Sequence, residues 1–321
     1  MRIKRRLRSV IEVAALRAGI LDRFERAAHD GLTVLTYHRV LPAAACAAYP
    51  FPSLAMPVDA FRAQMERVAR HFEVVRLSEG VRRMSEQRHS ARPLAAVTFD
   101  DGYDDNATIA APILEALDLH ATFFLVHDFV VHEHALWFDR AAVALNAIGE
   151  DLAAIEHLKS LEPSARDLFI DELEKRAGNR PIRANAPMSR RQARGLLRAG
   201  HEIGSHTLTH PILTRVSDVH LEAEVVRSKS ALEAWLDHPI DGFCYPNGDH
   251  DERVRHVARS AGYRWACSTA PGRNQSPLDA FDVQRIDVTP SRVTDHNGEY
   301  SELAFRSEIS LLRRALRGDL R

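Results

Sequence analysis

Leu94-Ala95-Ala96-Val97-Thr98-Phe99-Asp100-Asp101-Gly102-Tyr103-Asp104 is the stretch on which the fold turns. Leu94 to Phe99 reads as a short strand that delivers two carboxylates at its end. Aspartate is a rare way to finish an apolar strand. Two in succession bring like charges together, which costs free energy unless a cation or another positive group compensates. The other use of such a pair is a turn or a helix N-cap.

Short apolar runs and helical patterns alternate outward from this strand. Upstream, Leu32 to His38 reads as a buried strand and Pro42 to Pro57 as a long loop. Val58 to Phe72 reads as a helix with Asp59 as N-cap and Phe61, Met65 and Val68 as its stripe, and Glu73 to Leu77 as a short strand. Downstream come a helix from Asn106 to Leu117 interrupted at Pro112, a strand from Ala121 to Val126, and a charged helical insertion from Asp151 to Arg176. A helix from Arg190 to Ala199 is closed by Gly200, and Glu202 to Ser205 comes next. The remaining elements are an amphipathic helix from Leu221 to Leu236, the run Gly242 to Tyr245, a helix from Asp251 to Ala261, and strands over Arg264 to Cys267 and Val283 to Val288. This alternation predicts an α/β fold with parallel strands inside and helices outside, its chemistry at the carboxyl ends of the strands.

Ser205-His206-Thr207-Leu208-Thr209-His210-Pro211 supplies the second chemical element. Histidines at i and i+4, read as one helical turn, present two nitrogens from the same face. In a chain with 17 histidines such a pair alone carries little weight. Joined to Asp100-Asp101 it provides one oxygen and two nitrogen ligands for a divalent metal, with a carboxylate to spare.

The 321 residues are 45% apolar, enough for a sizeable core in one large domain or two smaller ones. A formal net charge of −1 offers no field for nucleic acid. Cys46, Cys244 and Cys267 are scattered without CxxC spacing, as expected of small buried side chains in a reducing compartment. No apolar run approaches the ~18 residues of a membrane span. The basic start Met1 to Arg8 resembles a signal peptide, but Glu12 and Arg17 interrupt the adjoining stretch and no cleavage site closes it. Leu7, Ile11, Ala14, Ala18 and Leu21 instead space as an amphipathic helix, to be docked on the domain or to rest weakly on anionic lipid. The run Leu311 to Arg317 has the same two readings. The expected location is cytoplasmic, at most peripheral at the inner face of the membrane.

Thr98-Phe99-Asp100-Asp101-Gly102-Tyr103 and Ser205-His206-Thr207-Leu208-Thr209-His210-Pro211 resemble the first two motifs of the polysaccharide deacetylases, the NodB-homology group of carbohydrate esterases. The resemblance continues through Tyr37-His38-Arg39-Val40, Ala121-Thr122-Phe123-Phe124, Gly200-His201-Glu202-Ile203-Gly204, Phe243-Cys244-Tyr245-Pro246-Asn247-Gly248 and Gly262-Tyr263. It implies a distorted, incomplete (β/α) barrel over residues 31–292, flanked by an N-terminal helix over 1–30 and a helical extension over 293–321. It also implies a divalent ion held by Asp101, His206 and His210, most often Zn2+, with Co2+, Ni2+ or Mn2+ as substitutes. Asp100 would be the general base, and the backbone N–H of Tyr245 would donate to the oxyanion.

Three departures stand out. Many members carry an arginine where this chain has Cys244, and that arginine steadies the base. The aspartate–tryptophan pair of the fourth motif is not evident, and the final Leu-x-His is replaced by Val283-Gln284-Arg285-Ile286-Asp287. Arg285 is therefore expected to take over the orienting role at Asp100. His38 is the preferred general acid, with His250 and Asp249 as alternatives. Trp137 is read either as a sugar platform or as a core or lid residue. His127, His132 and His134 read as loop surface, although a histidine-rich loop binds adventitious metal. The function expected is metal-dependent removal of acetyl groups from an N-acetylated polysaccharide or lipid-linked oligosaccharide. An O-acetyl esterase and an inactive carbohydrate-binding protein are the alternatives.

Overall fold

The computed structural model describes residues 2–27, 30–88, 90–178 and 185–316, with the backbone alone for 2–9. The basic side chains of the opening run and Arg317 lie outside the described residues. All six residues of Leu94–Phe99 are buried, so this strand has no solvent face and reads as a continuous apolar run rather than an alternation. In chain order the strands are β1 (Leu32–Tyr37), β2 (Arg39–Leu41), β3 (Ala55–Pro57), β4 (Glu73–Val74), β5 (Leu94–Phe99), β6 (Thr122–Leu125), β7 (Glu202–Ser205), β8 (Gly242–Cys244), β9 (Trp265–Cys267) and β10 (Ile286–Asp287).

The main sheet runs β10-β1-β5-β6-β7-β8-β9, every pair parallel. A parallel bridge from Cys267 to Val283 ties β9 to the segment entering β10, which pairs with β1, so the sheet curls back to its start. Among the described residues seven strands follow this closing path, where a complete barrel has eight, and β4 is an eighth strand of the sheet paired to β5 off it. Distortion enters at β5: β4 covers its first residues through Glu73↔Leu94, while β6 pairs its last through Phe99↔Phe123. Stacked rings of Tyr37, Phe99 and Phe123, from three adjacent strands, fill the core beneath the carboxyl ends.

Three expectations about elements are corrected. Pro42 to Pro57 is not an open loop: it holds a helix over Ala43–Ala48 and β3, which pairs with β2. The helix Val58–His71 begins after Pro57 with no side-chain cap, so Asp59 lies in its first turn instead. Only Glu73 and Val74 of the Glu73 to Leu77 run are strand, and Leu77–Ser85 is helical.

At the termini, helices Arg2–Arg17 and Ile20–Ala27 dock on the C-terminal helices. Ala15 and Leu21 pack with Leu312, and Glu12 makes a buried ion pair with Arg313. The buried face is thus Glu12 and Ala15 with Leu16 half-buried, whereas Ile11, Ala14 and Ala18 of the expected stripe are exposed and the Leu7 side chain lies outside the described residues. Seating Glu12 against Arg313 sets that rotation, and Gly19, at φ 68°, breaks the helix before Leu21. Among the described residues no helix is long and apolar enough to cross a membrane.

Candidate active site

β5 ends with a backbone reversal that separates its two carboxylates. The Asp100 N–H still bonds the Tyr37 carbonyl at 3.0 Å, in continuation of the sheet. Asp101 and Gly102 then turn left-handed, at φ 76° and 93°. A Cβ at Gly102 would meet Leu125 at 2.9 Å and Val130 at 3.0 Å, so close approach and positive φ both call for glycine there. The two aspartates consequently face different environments.

Asp100 is clamped. Arg285, 1% exposed, donates from Nη1 to Oδ1 and from Nη2 to Oδ2, each at 2.8 Å. This paired fork fixes the carboxylate plane. The guanidinium is itself held by Nε donating to the Ser268 carbonyl at 2.9 Å, and its Nη2 lies 3.0 Å from Cys244 Sγ. Burial would raise the Asp100 carboxyl, but Arg285 outweighs it and holds the group well below the usual carboxylate range. His38 Nε2 lies 4.0 Å from Asp100 Oδ2, and Asn106 Nδ2 donates to the His38 carbonyl at 2.8 Å.

Asp101 has the opposite surroundings. Both its oxygens are buried and accept no hydrogen bond from any described residue. Burial, opposed by His38 and reinforced by Asp100, pushes its carboxyl up to about 7. Facing it are His210 Nε2 at 3.5 Å from Oδ1 and His206 Nε2 at 3.8 Å. Burial lowers His206 to about 4 and His210 well below its ordinary value, so both rings are neutral. His206 Nδ1 donates to the Cys244 carbonyl at 2.8 Å, which leaves the Nε2 lone pair directed at Asp101.

The histidines are not on a helix. His206 to His210 form a tight loop with Thr207 at φ 73° and His210 at φ 59°. The expectation of a helical turn fails because the His210 N–H bonds the Thr207 hydroxyl (2.9 Å), which a left-handed Thr207 makes possible, and because Pro211 disfavours helix at the residue before it. Trp137 Nε1 donates to the His210 carbonyl at 2.9 Å. Glu224, from the helical stretch after the loop, accepts from Leu208 N at 2.8 Å, Thr209 N at 3.0 Å and the Thr209 hydroxyl at 2.6 Å. Bonds from the Thr207, Trp137 and Glu224 side chains therefore hold the loop without helical geometry.

Asp100, Asp101, His206, His210 and His38 line one cavity of about 230 Å³. Other expected residues fall elsewhere. The Tyr245 N–H already donates to the Cys267 carbonyl at 3.0 Å, so it is committed to the sheet and not free for an oxyanion, and its hydroxyl bonds the Phe281 carbonyl. His250 pairs with Asp282 at 3.2 Å, and Asp249 accepts from Asn247 Nδ2 at 2.7 Å. Trp137 is 4% exposed and its ring lies under the Arg166 guanidinium at 4.5 Å, so it is a wall and not a sugar platform. Sequence reasoning missed Glu224, which carries no local signal, and Asn247, whose φ of 58° brings it to the cavity lining.

A parallel barrel with a carboxylate–histidine cluster at its carboxyl end defines a hydrolase scaffold. The family model for polysaccharide deacetylase matches residues 87–266, more than half of the chain, and the chain belongs to the polysaccharide deacetylase family, hydrolases of carbon–nitrogen bonds other than peptide bonds. Bacillus subtilis YxkH is 20% identical over 272 residues, 84% of this chain and 76% of that protein. Among solved structures, the deacetylase PplD of Streptococcus pyogenes, in complex with acetate, superposes with a TM-score of 0.61 at 18% identity, covering 84% of this chain and 96% of that one. IcaB from Ammonifex degensii gives 0.59 at 21% identity, covering 82% and 93%. At these identities the likeness is one of fold.

Proposed function

We propose that the protein is a metal-dependent deacetylase that removes acetyl groups from an N-acetylated polysaccharide or lipid-linked oligosaccharide. The carrying observation is the pairing of an unpartnered, buried Asp101 with two neutral imidazoles, beside a second carboxylate held ionised by Arg285. Two nitrogens and one oxygen suit Zn2+ and leave coordination positions open. Asp101, His206 and His210 would hold the ion. Bound there, it would polarise the acetyl carbonyl and lower the pKa of a water.

The chain's own groups supply the proton traffic. Arg285 occupies one lone pair on each Asp100 oxygen, which leaves the others to take the proton of the attacking water. Asp100 is the general base in this reading and Arg285 its positioning residue. His38, in reach of both the cavity and Asp100, protonates the departing amine. No role remains for Tyr245.

Residues 31–292 form the catalytic domain in this reading, with 1–30 and 293–321 as a helical clasp. The location it assumes is cytoplasmic, with the basic N-terminal helix at the inner membrane face. Flotation with anionic vesicles, before and after deletion of residues 1–27, checks that part.

Acetate release from an acetylated chitooligosaccharide tests the activity. Chelation should abolish it, Zn2+ should restore it, and Asp100→Asn should lower it by about 10²–10⁴-fold while Zn2+ binding persists. Preference for an O-acetylated substrate run in parallel would instead make the protein an esterase. Undiminished release by Asp100→Asn would remove the base.

A further inference from the structure

We propose that the segment His127 to His134 is a second divalent-metal site, separate from the cavity that holds Asp101. One ligand atom each from His127, Asp128 and His132 lie within 4.8 Å of one another. The ring centroids of His127 and His132 are 5.3 Å apart, and those of His132 and His134 are 5.6 Å apart, which places a third imidazole beside the group. Three imidazoles and a carboxylate form a donor set for zinc-class ions, not for calcium or magnesium.

The backbone here is already fixed. The N–H groups of His127 and Asp128 donate to the Thr207 and Leu208 carbonyls at 3.0 and 2.9 Å. Helix His127–His132 ends at Glu133, at φ 56°, and the His134 N–H returns to the Asp128 carbonyl at 3.0 Å. This reversal brings His132 and His134 back towards the start of the helix. His127 is buried, and its Nδ1 lies 2.7 Å from Asp128 Oδ1, so two of the donor atoms already lie side by side. Nitrogens bound at ~2.0–2.1 Å around a tetrahedral ion sit about 3.3 Å apart. The exposed His132 and His134 side chains can swing to close that gap while the buried His127 stays in place.

An entry path exists as well. Asp128 and His134 line a cavity of about 580 Å³ on the far side of Trp137 from the catalytic cleft. An ion there would sit behind the Thr207–Leu208 peptide, on the segment that backs the histidine loop, and would touch no reacting atom.

Stoichiometry decides the matter. The metal-stripped full chain is titrated with Zn2+ against a chromophoric chelator, and Co2+ spectra are recorded in parallel. Wild type should take up two equivalents. The double variant His132→Ala, His134→Ala should take up one and keep the Co2+ spectrum of the catalytic site. Asp101→Ala should also take up one, with the other spectrum. His220→Ala, which removes an exposed histidine elsewhere, should keep both. A single equivalent in wild type, abolished by Asp101→Ala, would overturn this site while leaving the proposed function standing. Loss of a second equivalent in His220→Ala would reduce it to general surface-histidine binding and overturn it equally. If Asp101→Ala keeps the wild-type count, the catalytic assignment fails instead.

Discussion

The two walls of the cleft are built on opposite principles. On the Asp100 side every charge is answered: Arg285 grips the carboxylate with two bonds, and the arginine is anchored in turn on the Ser268 carbonyl. On the Asp101 side a buried carboxylate faces two neutral rings and accepts nothing from the described residues. Adjacent residues of one chain thus differ in direction of shift, Asp100 downward and Asp101 up to about 7. A buried carboxylate without hydrogen bonds is costly. It persists where something outside the chain completes it, whereas the clamped neighbour needs nothing further. In the proposed function the unanswered wall binds and the answered wall reacts.

Removing the unanswered carboxylate is the most severe way to break this contrast. Asp101→Ala deletes the only oxygen of the proposed ligand set. Acetate release should fall by at least about 10³-fold, the rate equivalent of the several kcal/mol that such an ion contributes. Zn2+ uptake at this site should vanish in the same titration. The fold should not suffer, because the substitution removes a buried group that has no partner to leave behind. A variant that keeps tight Zn2+ would show that the two histidines recruit another oxygen, and the comparison of walls would fail.

Arg285→Met attacks the other wall and should have an intermediate effect. It leaves Asp100 buried and unpaired, a change that costs about 3–5 kcal/mol when one partner of a buried pair is removed. The melting temperature should drop and kcat should fall about 10–100-fold, with Zn2+ affinity nearly intact. A sharper form adds Cys244→Arg. Cys244 Sγ lies 3.0 Å from Arg285 Nη2, so an arginine entering from β8 would reach the same carboxylate from the other side. Recovery of kcat in the double variant would show that the charge matters and its strand of origin does not. Unchanged turnover in Arg285→Met alone would discard the positioning role.

Much of this contrast was legible in the chain. The apolar run ending in Asp100-Asp101 marks a strand because burial on both faces leaves no polar alternation to confuse it. Gly200 closes its helix at φ 89°, as its type foretells. Arg285 was legible only through a loss, since the charge missing at Cys244 had to be supplied from somewhere. What stayed hidden depends on tertiary contact. The spacing of His206 and His210 fits a helical turn equally well, and the Thr207 hydroxyl, the Trp137 indole and the Glu224 carboxylate hold the loop instead. The pairing of β2 with β3 was obscured by prolines and alanines of low strand propensity. Tyr245 was misjudged because a backbone N–H carries no label in a sequence to say whether the sheet uses it.

Glu224 offers the finest adjustment. Its carboxylate accepts two backbone N–H groups and one hydroxyl from Leu208 and Thr209, the residues between His206 and His210. Burial raises this carboxyl, and the bonds from Thr209 and Leu208 work against that rise. Glu224→Gln keeps the size, and its amide can accept both N–H groups through one oxygen and donate to the Thr209 hydroxyl, but it removes the negative charge that strengthens those bonds. The histidines remain, yet the loop that aims them loosens. Zn2+ affinity should weaken by about 10-fold, the low end for outer partners of metal ligands. Melting of the metal-free chain should change little, because the bonds are weakened and not removed, and a neutral hydrogen bond still contributes about 1 kcal/mol. Co2+ spectra separate the two effects: a broadened or shifted band at full occupancy reports altered ligand geometry, which a purely structural loss would not produce. An identical spectrum with unchanged affinity would mean that the Thr207 and Trp137 bonds hold the loop without help from Glu224, and the unanswered wall would then be rigid on its own.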